Sequence, residues 1–163
     1  MDAPEYVPGH GLLDGQVVVV TAAAGAGIGF AVAKKAVEEG ATVVVSDVHE
    51  RRLDEAADAL AELSDARPVN RLCDVRDETQ VQGLLDAAVA EHGRIDVMVN
   101  NAGLGGDTLL VDMTDEEWDR VLDITLTGSM RCTRAAMRIM GSQGHGVIVN
   151  NASVLGWRAQ EGQ

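Results

Sequence analysis

The sequence predicts an α/β fold: a doubly wound parallel sheet with helices on both faces. Three observations carry this. Five short apolar runs, rich in β-branched residues, recur at 17–21, 42–46, 68–73, 95–99 and 147–150. Four segments of helical periodicity separate them, which makes consecutive strands parallel. Gly27, Asp47, Asp74, Gly103 and Ser153 all fall at or past the carboxyl ends of these runs, the edge where such sheets bind ligands.

Residues 1–15 read as an N-terminal arm, ordered or frayed, with Pro4, Pro8, Gly9 and Gly11 and no chemistry of its own. The remaining residues, 16–163, read as one domain, with no internal repeat, linker or low-complexity tract. The first strand, Val17 to Thr21, runs into the small residues Ala22 to Gly29. A helix follows from Ile28 to Glu39, with Ile28, Val32, Ala36 and Val37 on the inward face and Lys34, Lys35, Glu38 and Glu39 toward water. Gly40 stops it, and the second strand ends on Asp47.

Strand, glycine turn, helix, strand and acid together form the context that makes a glycine motif a dinucleotide site. A pyrophosphate needs N–H donors, and a helix N-terminus offers unpaired ones with partial positive charge. It can approach them only where side chains are absent, hence Gly25, Gly27 and Gly29. Asp47 is placed to accept hydrogen bonds from both hydroxyls of an adenosine ribose. A 2′-phosphate would meet a like charge there, so NAD is expected over NADP, although Arg51 and Arg52 lie near enough in sequence to favour the latter. The glycines are not followed by Lys-Ser or Lys-Thr, which excludes a triphosphate-binding P-loop.

A second helix carries Leu53, Ala56, Ala57, Leu60 and Leu63 inward. The third strand ends on Asp74, which reads either as an acceptor for the adenine amino group or as an ordinary acid before a helix. Asp77 and Gln80 resemble a capping pair. The next helix presents Val81, Leu84, Leu85, Ala88 and Val89 and stops at His92-Gly93. The fourth strand ends in Asn100-Asn101-Ala102-Gly103, where small residues admit a ligand and the Asn amides can tie strands together. Gly105 and Gly106 open a loop, and Thr114 to Glu117 forms a capping box. One long helix is expected after it, burying Trp118, Val121, Leu122, Thr125 and Ser129. Gly141 to Gly146 turns the chain into the fifth strand.

Composition excludes several classes. Net charge is −13, and only four residues are aromatic, Tyr6, Phe30, Trp118 and Trp157. Nucleic-acid binding therefore lacks both its basic surface and its stacking platforms. The apolar stretch from Gln16 to Ala33 is too short and glycine-rich to span a membrane. Cys73 and Cys132 are too few and too far apart for a disulfide framework or zinc site, and no metal is expected. Without a basic, apolar leader the protein is expected in the cytoplasm.

These residues resemble the short-chain dehydrogenase/reductase family: Thr21 with the glycine loop, Asp47, Cys73-Asp74-Val75, Asn100 to Gly103, and Ile148 to Ser153. The resemblance covers about Leu12 to Trp157. It implies a Rossmann-like sheet of order 3-2-1-4-5-6-7, of which five of the seven strands are present. It implies a homodimer or homotetramer, and hydride transfer between a nicotinamide cofactor and an alcohol or carbonyl carbon of a small-molecule substrate. Cofactor contacts are implied at Thr21, Gly25, Gly27, Ile28, Gly29, Asp47, Asp74, Val75, Asn101, Ala102 and Gly103. Ser153 is implied to hold the reacting oxygen.

The sequence departs from the family pattern in three ways. The glycine loop is one residue longer, with Ala22 at its first glycine. Thr125 occupies the place of an Asn that in the family supports a water of the proton relay, which implies a catalytic role in which its hydroxyl partly substitutes, or a relay that runs through backbone and water. The family's Tyr-x-x-x-Lys is absent from the 163 residues, and Tyr6, in the arm, cannot replace it. The residues thus look like the front part of a longer oxidoreductase, inactive alone, with an open strand edge and apolar face. Leu104 to Leu109 and Leu155 to Arg158 are expected to meet substrate; Trp157 with Arg158 read first as loop packing and second as suiting a bulky or acyl-coenzyme A substrate. The run through Trp157 is similar to actinobacterial members that act on acyl-CoA and sterol-derived substrates, with 3-oxoacyl thioester reductases close behind. A non-catalytic nucleotide-binding protein on the same fold is the alternative.

Overall fold

In the computed structural model, residues 5–64, 66–105 and 108–158 are described. Residues 106 and 107 of the expected substrate loop, and 159–163 at the end of the expected domain, lie outside them. The strands are β1 (Val17–Val20), β2 (Thr42–Asp47), β3 (Val69–Leu72), β4 (Val97–Asn100) and β5 (Val147–Asn150). The helices are α1 (Ile28–Glu38), α2 (Glu50–Ala61), α3 (Glu78–His92), α4 (Asp115–Leu122) and α5 (Gly128–Gln143). All five strands pair in parallel, in the order β3-β2-β1-β4-β5.

The period of two along each strand splits the core into two layers. Val18, Val20, Val43 and Val45 pack with α1 and α2 on one face. Val19, Val44 and Met98 pack with α3 and α5 on the other. At the amino edge, the buried Asp96 carboxylate accepts from the Val17 amide (2.8 Å) and Arg94 Nε (3.0 Å), with His145 Nε2 at 3.1 Å. The buried charge is thus paired, and it fastens β1, β4 and the turn before β5 together.

Asp77 caps α3 by accepting from the Thr79 and Gln80 amides, and Thr114 with Glu117 makes the expected capping box on α4. Gly93, at φ 77°, ends α3. The long helix differs from expectation. It is α4, a π-helical turn over Asp123–Thr127, and then α5. No residue of α4 is buried, and Trp118 is 51% exposed, because the inward stripe begins only at Gly128 and continues through Cys132, Ala135, Ala136 and Met140. Ile28 and Leu63, expected inside, are also exposed. Ile28 stands at the rim of an apolar groove of about 430 Å³ between α1 and the β4–β5 face, and Leu63 lies past the end of α2. Val147 and Val149, on the outer strand β5, are exposed as well.

Glu39 corrects a second expectation. It does not face water but is 7% exposed beneath the arm. Its carboxylate accepts from the backbone amides of His10 (2.8 Å) and Leu12 (3.2 Å), and Lys35 pairs with it at 3.2 Å. The Tyr6 hydroxyl donates to Glu38, and the Lys34 and Lys35 ammonium groups lie 5.5 and 5.6 Å from its ring centre. The arm is therefore docked on the end of α1.

The His10 and Leu12 amides, helped by Lys35, hold the Glu39 carboxyl down to about 2 against burial. A carboxyl whose folded pKa is depressed stabilises the fold above its unfolded value, near 4.5, and that stability is lost as pH falls toward the folded value. Glu39→Gln should lower the urea midpoint at neutral pH. The gap from wild type should shrink as pH falls from about 5 to 3. A gap that does not change with pH would contradict this assignment.

Candidate functional site

The site lies where the chain's connections diverge, between the carboxyl ends of β1 and β4. Thr21 is buried there, and its hydroxyl accepts from the amides of Asn101 and Ala102, both at 3.0 Å. Asn101 Nδ2 donates back to the carbonyls of Thr21 and Ala22 at 3.1 Å, and its Oδ1 accepts from Asn151 at 2.8 Å. Asn100 Nδ2 donates to Thr133 and Asn150, both at 2.8 Å. The Asn side chains thus tie the strand ends, as expected. The Thr21 hydroxyl and the Asn101 amide are spent within the protein rather than turned toward the cavity.

Ala22 takes φ 51°, the left-handed conformation that a glycine adopts at no steric cost, and Gly25 follows at φ 80°. Gly27 then starts α1 with no side-chain cap and no acidic residue in the first turn. The first helical N–H to find an intrahelical acceptor is that of Ala31, on Gly27. The amides of Ile28, Gly29 and Phe30, ahead of it, have no intrahelical acceptor. A Cβ at Gly27 would meet open space, whereas one at Gly29 would strike the Ala22 carbonyl and the Asn101 amide. Gly27 keeps the cradle clear, and Gly29 lets the helix sit against the strand ends.

Asp47 closes the cradle. Its Oδ2 accepts from the Ala24 amide at 3.2 Å and its Oδ1 from the His49 amide at 3.0 Å. The glycine loop itself therefore fixes the carboxylate at the end of β2. Beside it is a cavity of about 370 Å³ lined by Asp47, Asp74, Val75, Ala102, Gly103 and Ile124. Asp74 is not free in that wall. Arg76 Nε lies 3.0 Å from both its oxygens, and Nη2 lies 2.6 Å from Oδ2. The Arg76 guanidinium holds the Asp74 carboxyl below its ordinary range. The Asp74 amide donates to Gln80 Oε1 at 2.9 Å.

Thr125 sits in the π-helical turn, an element common at functional sites. Its hydroxyl accepts from the Leu104 amide at 3.1 Å and lies 3.4 Å from the Leu104 carbonyl. Ser129 Oγ donates to the Thr125 carbonyl at 2.8 Å. Ser153 stands past β5 and caps a short 3₁₀ turn, Val154–Gly156, by accepting from the Leu155 amide at 3.1 Å. Trp157, on the same turn, is 91% exposed rather than packed on its loop. Tyr6 is docked on the far end of α1, at the amino edge of the sheet, away from Ser153.

The structure thus brings Gly25, Gly27, Ile28, Gly29, Asp47, Asp74, Val75, Ala102 and Gly103 to one edge. Five wall residues escaped the sequence reading: Val48, His49, Arg76, Arg120 and Ile124. Ile124, next to Thr125, carried a signal only in that adjacency, and Arg76 only in its place two residues after Asp74. Cys73 and Cys132 are buried, and burial pushes their thiols up to about 11 and 12, so neither is a nucleophile at neutral pH. Among the described residues, no group of three or more His, Cys, Asp or Glu could hold a metal ion.

The family model for short chain dehydrogenases matches residues 16–163. The chain belongs to that family. It is 60% identical over 162 residues to a (5R,7aS)-5-hydroxy-7a-methyl-1-oxo-hexahydroindene-carboxyl-CoA reductase of Mycobacterium tuberculosis, spanning 99% of this chain and 62% of that protein. It is 38% identical over 154 residues to a 3-oxoacyl-acyl-carrier-protein reductase of Thermotoga maritima, spanning 93% of this chain and 61% of the relative. A short chain dehydrogenase from Mycobacterium smegmatis superposes with a TM-score of 0.95 at 60% identity, over 99% of this chain and 68% of that one. An NAD⁺-bound xylitol dehydrogenase superposes at 0.87 with 34% identity, over 93% and 58% of the two chains. The chain therefore spans about three-fifths of the length of the curated relatives it matches.

Gly29→Ala should cost about 2 kcal/mol, because the added methyl meets backbone and must push α1 off the strand ends. Thermal denaturation reads this. A variant as stable as wild type would show that the helix does not depend on that close approach.

Proposed function

We propose that this chain is the nucleotide-binding part of an NAD-linked oxidoreductase that interconverts a secondary alcohol and a ketone. The observation that carries this is the uncapped start of α1 beside a carboxylate held by the glycine loop. Three amides without a helical partner suit a pyrophosphate, Gly27 leaves it room, and the adjoining cavity suits an adenosine. Asp47 is oriented for two ribose hydroxyls and opposes a 2′-phosphate, which favours NAD over NADP. The bound nicotinamide would supply or accept the hydride.

The chain's own residues divide the remaining work. Thr21 and Asn101 hold the edge in register rather than touching the cofactor. Ser153, past β5, would hydrogen-bond the reacting oxygen. Thr125 steadies the loop at Leu104. Turnover further requires a Tyr and Lys pair to move the proton and hold the nicotinamide ribose, so these 163 residues alone should be inactive. The open groove beside α1 and the uncovered face of β5 support that reading. An acyl-CoA or sterol-derived thioester is the favoured substrate class, supported by the similarity to the Mycobacterium tuberculosis reductase, with 3-oxoacyl thioesters as the near alternative. Trp157 and Arg158 lie beside Ser153 and would meet such a substrate.

A homodimer or homotetramer is supported by an exposed stripe along α4, the π turn and α5: Trp118, Leu126, Met130 and Met137. Among the described residues, no helix is long and apolar enough to cross a membrane, which fits a cytoplasmic enzyme.

Asp47→Ala should weaken NAD about tenfold, the value of one charge-assisted hydrogen bond, and should narrow the preference over NADP. Calorimetric titration reads both. In a chain that includes the Tyr and Lys, Ser153→Ala should lower kcat about 10²-fold and leave NAD affinity unchanged. NAD binding without any turnover on alcohols or ketones in that longer chain would favour the non-catalytic reading.

A further inference from the structure

The cavity and the π-helical turn meet at four charges that the reaction chemistry leaves unused. Arg76 grips both oxygens of Asp74, and Arg131 Nη1 lies 2.8 Å from Asp123 Oδ1. The Asp74 carboxyl is held low chiefly by Arg76 and least by Arg131, and Arg76 is held high chiefly by Asp74 and least by Asp123, so the signs alternate. Isolated surface pairs contribute little, but bidentate geometry within a network is the case in which they matter.

Each pair stands at a mechanically sensitive place. Asp123 opens the π turn, and Arg131 lies beyond its end in the first turn of α5, so their bridge spans the bulge. Asp74 and Arg76 flank Val75, whose Cγ2 fills the space that a side chain at Gly128 would need. Loop 74–76 and the helix are thus in contact with no room to spare. The turn between them does two things with adjacent residues. Ile124 forms part of the cavity wall, and Thr125 holds Leu104 by its amide.

We propose that Arg76 and Arg131 are positioning residues: the quartet Asp74, Arg76, Asp123 and Arg131 registers the π turn against the adenine-facing loop, so that filling the adenosine pocket fixes Thr125. This rests on the nucleotide-binding reading above. The ligand is the adenosine half of the cofactor, and the effect is felt one residue away from its wall, toward the reacting end.

The test is amide hydrogen exchange over residues 121–129 with and without adenosine monophosphate. In the wild type, the nucleotide should slow exchange there roughly tenfold. Arg131→Gln should bind the nucleotide within about threefold of wild type yet lose that protection, and Arg131→Lys should restore part of it. Asp123→Asn breaks the same bridge from its other end and should match Arg131→Gln, which guards against a folding defect in one variant. Full protection in both variants would overturn the proposal, as would nucleotide binding to wild type without protection. Failure of wild type to bind the nucleotide at all would overturn the nucleotide reading itself, and this proposal with it.

Discussion

The polar seam between the ends of β1 and β4 is the constraint on which the rest of the site depends. In a parallel sheet the strand ends leave unpaired backbone groups, and burying them without partners costs roughly 1–3 kcal/mol each. Thr21 and Asn101 satisfy them reciprocally: one hydroxyl receives two amides, and one carboxamide returns to two carbonyls. That exchange fixes the loop after β1 and the loop after β4 in a single arrangement. Gly29 can then approach the Ala22 carbonyl, which seats the start of α1 against the strand ends.

Charge is distributed with the same economy. The chain carries a net −13, yet α1 has no acidic side chain in its first turn. Negative charge is confined to Asp47 and Asp74 beside it, and both are held: Asp47 by two amides of its own loops, Asp74 by Arg76. A carboxylate fixed in this way can select hydroxyl and amino donors without repelling the phosphates, because its direction as well as its distance is set.

Most of this architecture was legible in the sequence because it is local. β-branched runs of four to six residues read as buried parallel strands, and the caps at Asp77 and Thr114 follow from residue type and spacing. What escaped is tertiary. Glu39 falls on the polar side of an amphipathic pattern, and only the docked arm makes it buried. Trp118 sits at helical spacing with the core residues, but α4 lies beyond the layer that the sheet covers. The π turn has no sequence signature here; Gly128 just past its end lies against Val75, and Thr125 within it accepts from the Leu104 amide. Asp74 had two readings, and the structure adds a partner, Arg76, that neither had named.

The central claim is that the open amides at the start of α1 receive the pyrophosphate of a dinucleotide. It is tested most directly by titrating ¹⁵N-labelled protein with NAD and following backbone amide shifts. The largest shifts should fall on Gly27, Ile28, Gly29 and Phe30, with smaller ones at Asp47 and Gly103. Saturable shifts that leave the α1 start unmoved, or no shifts at all, would contradict the claim.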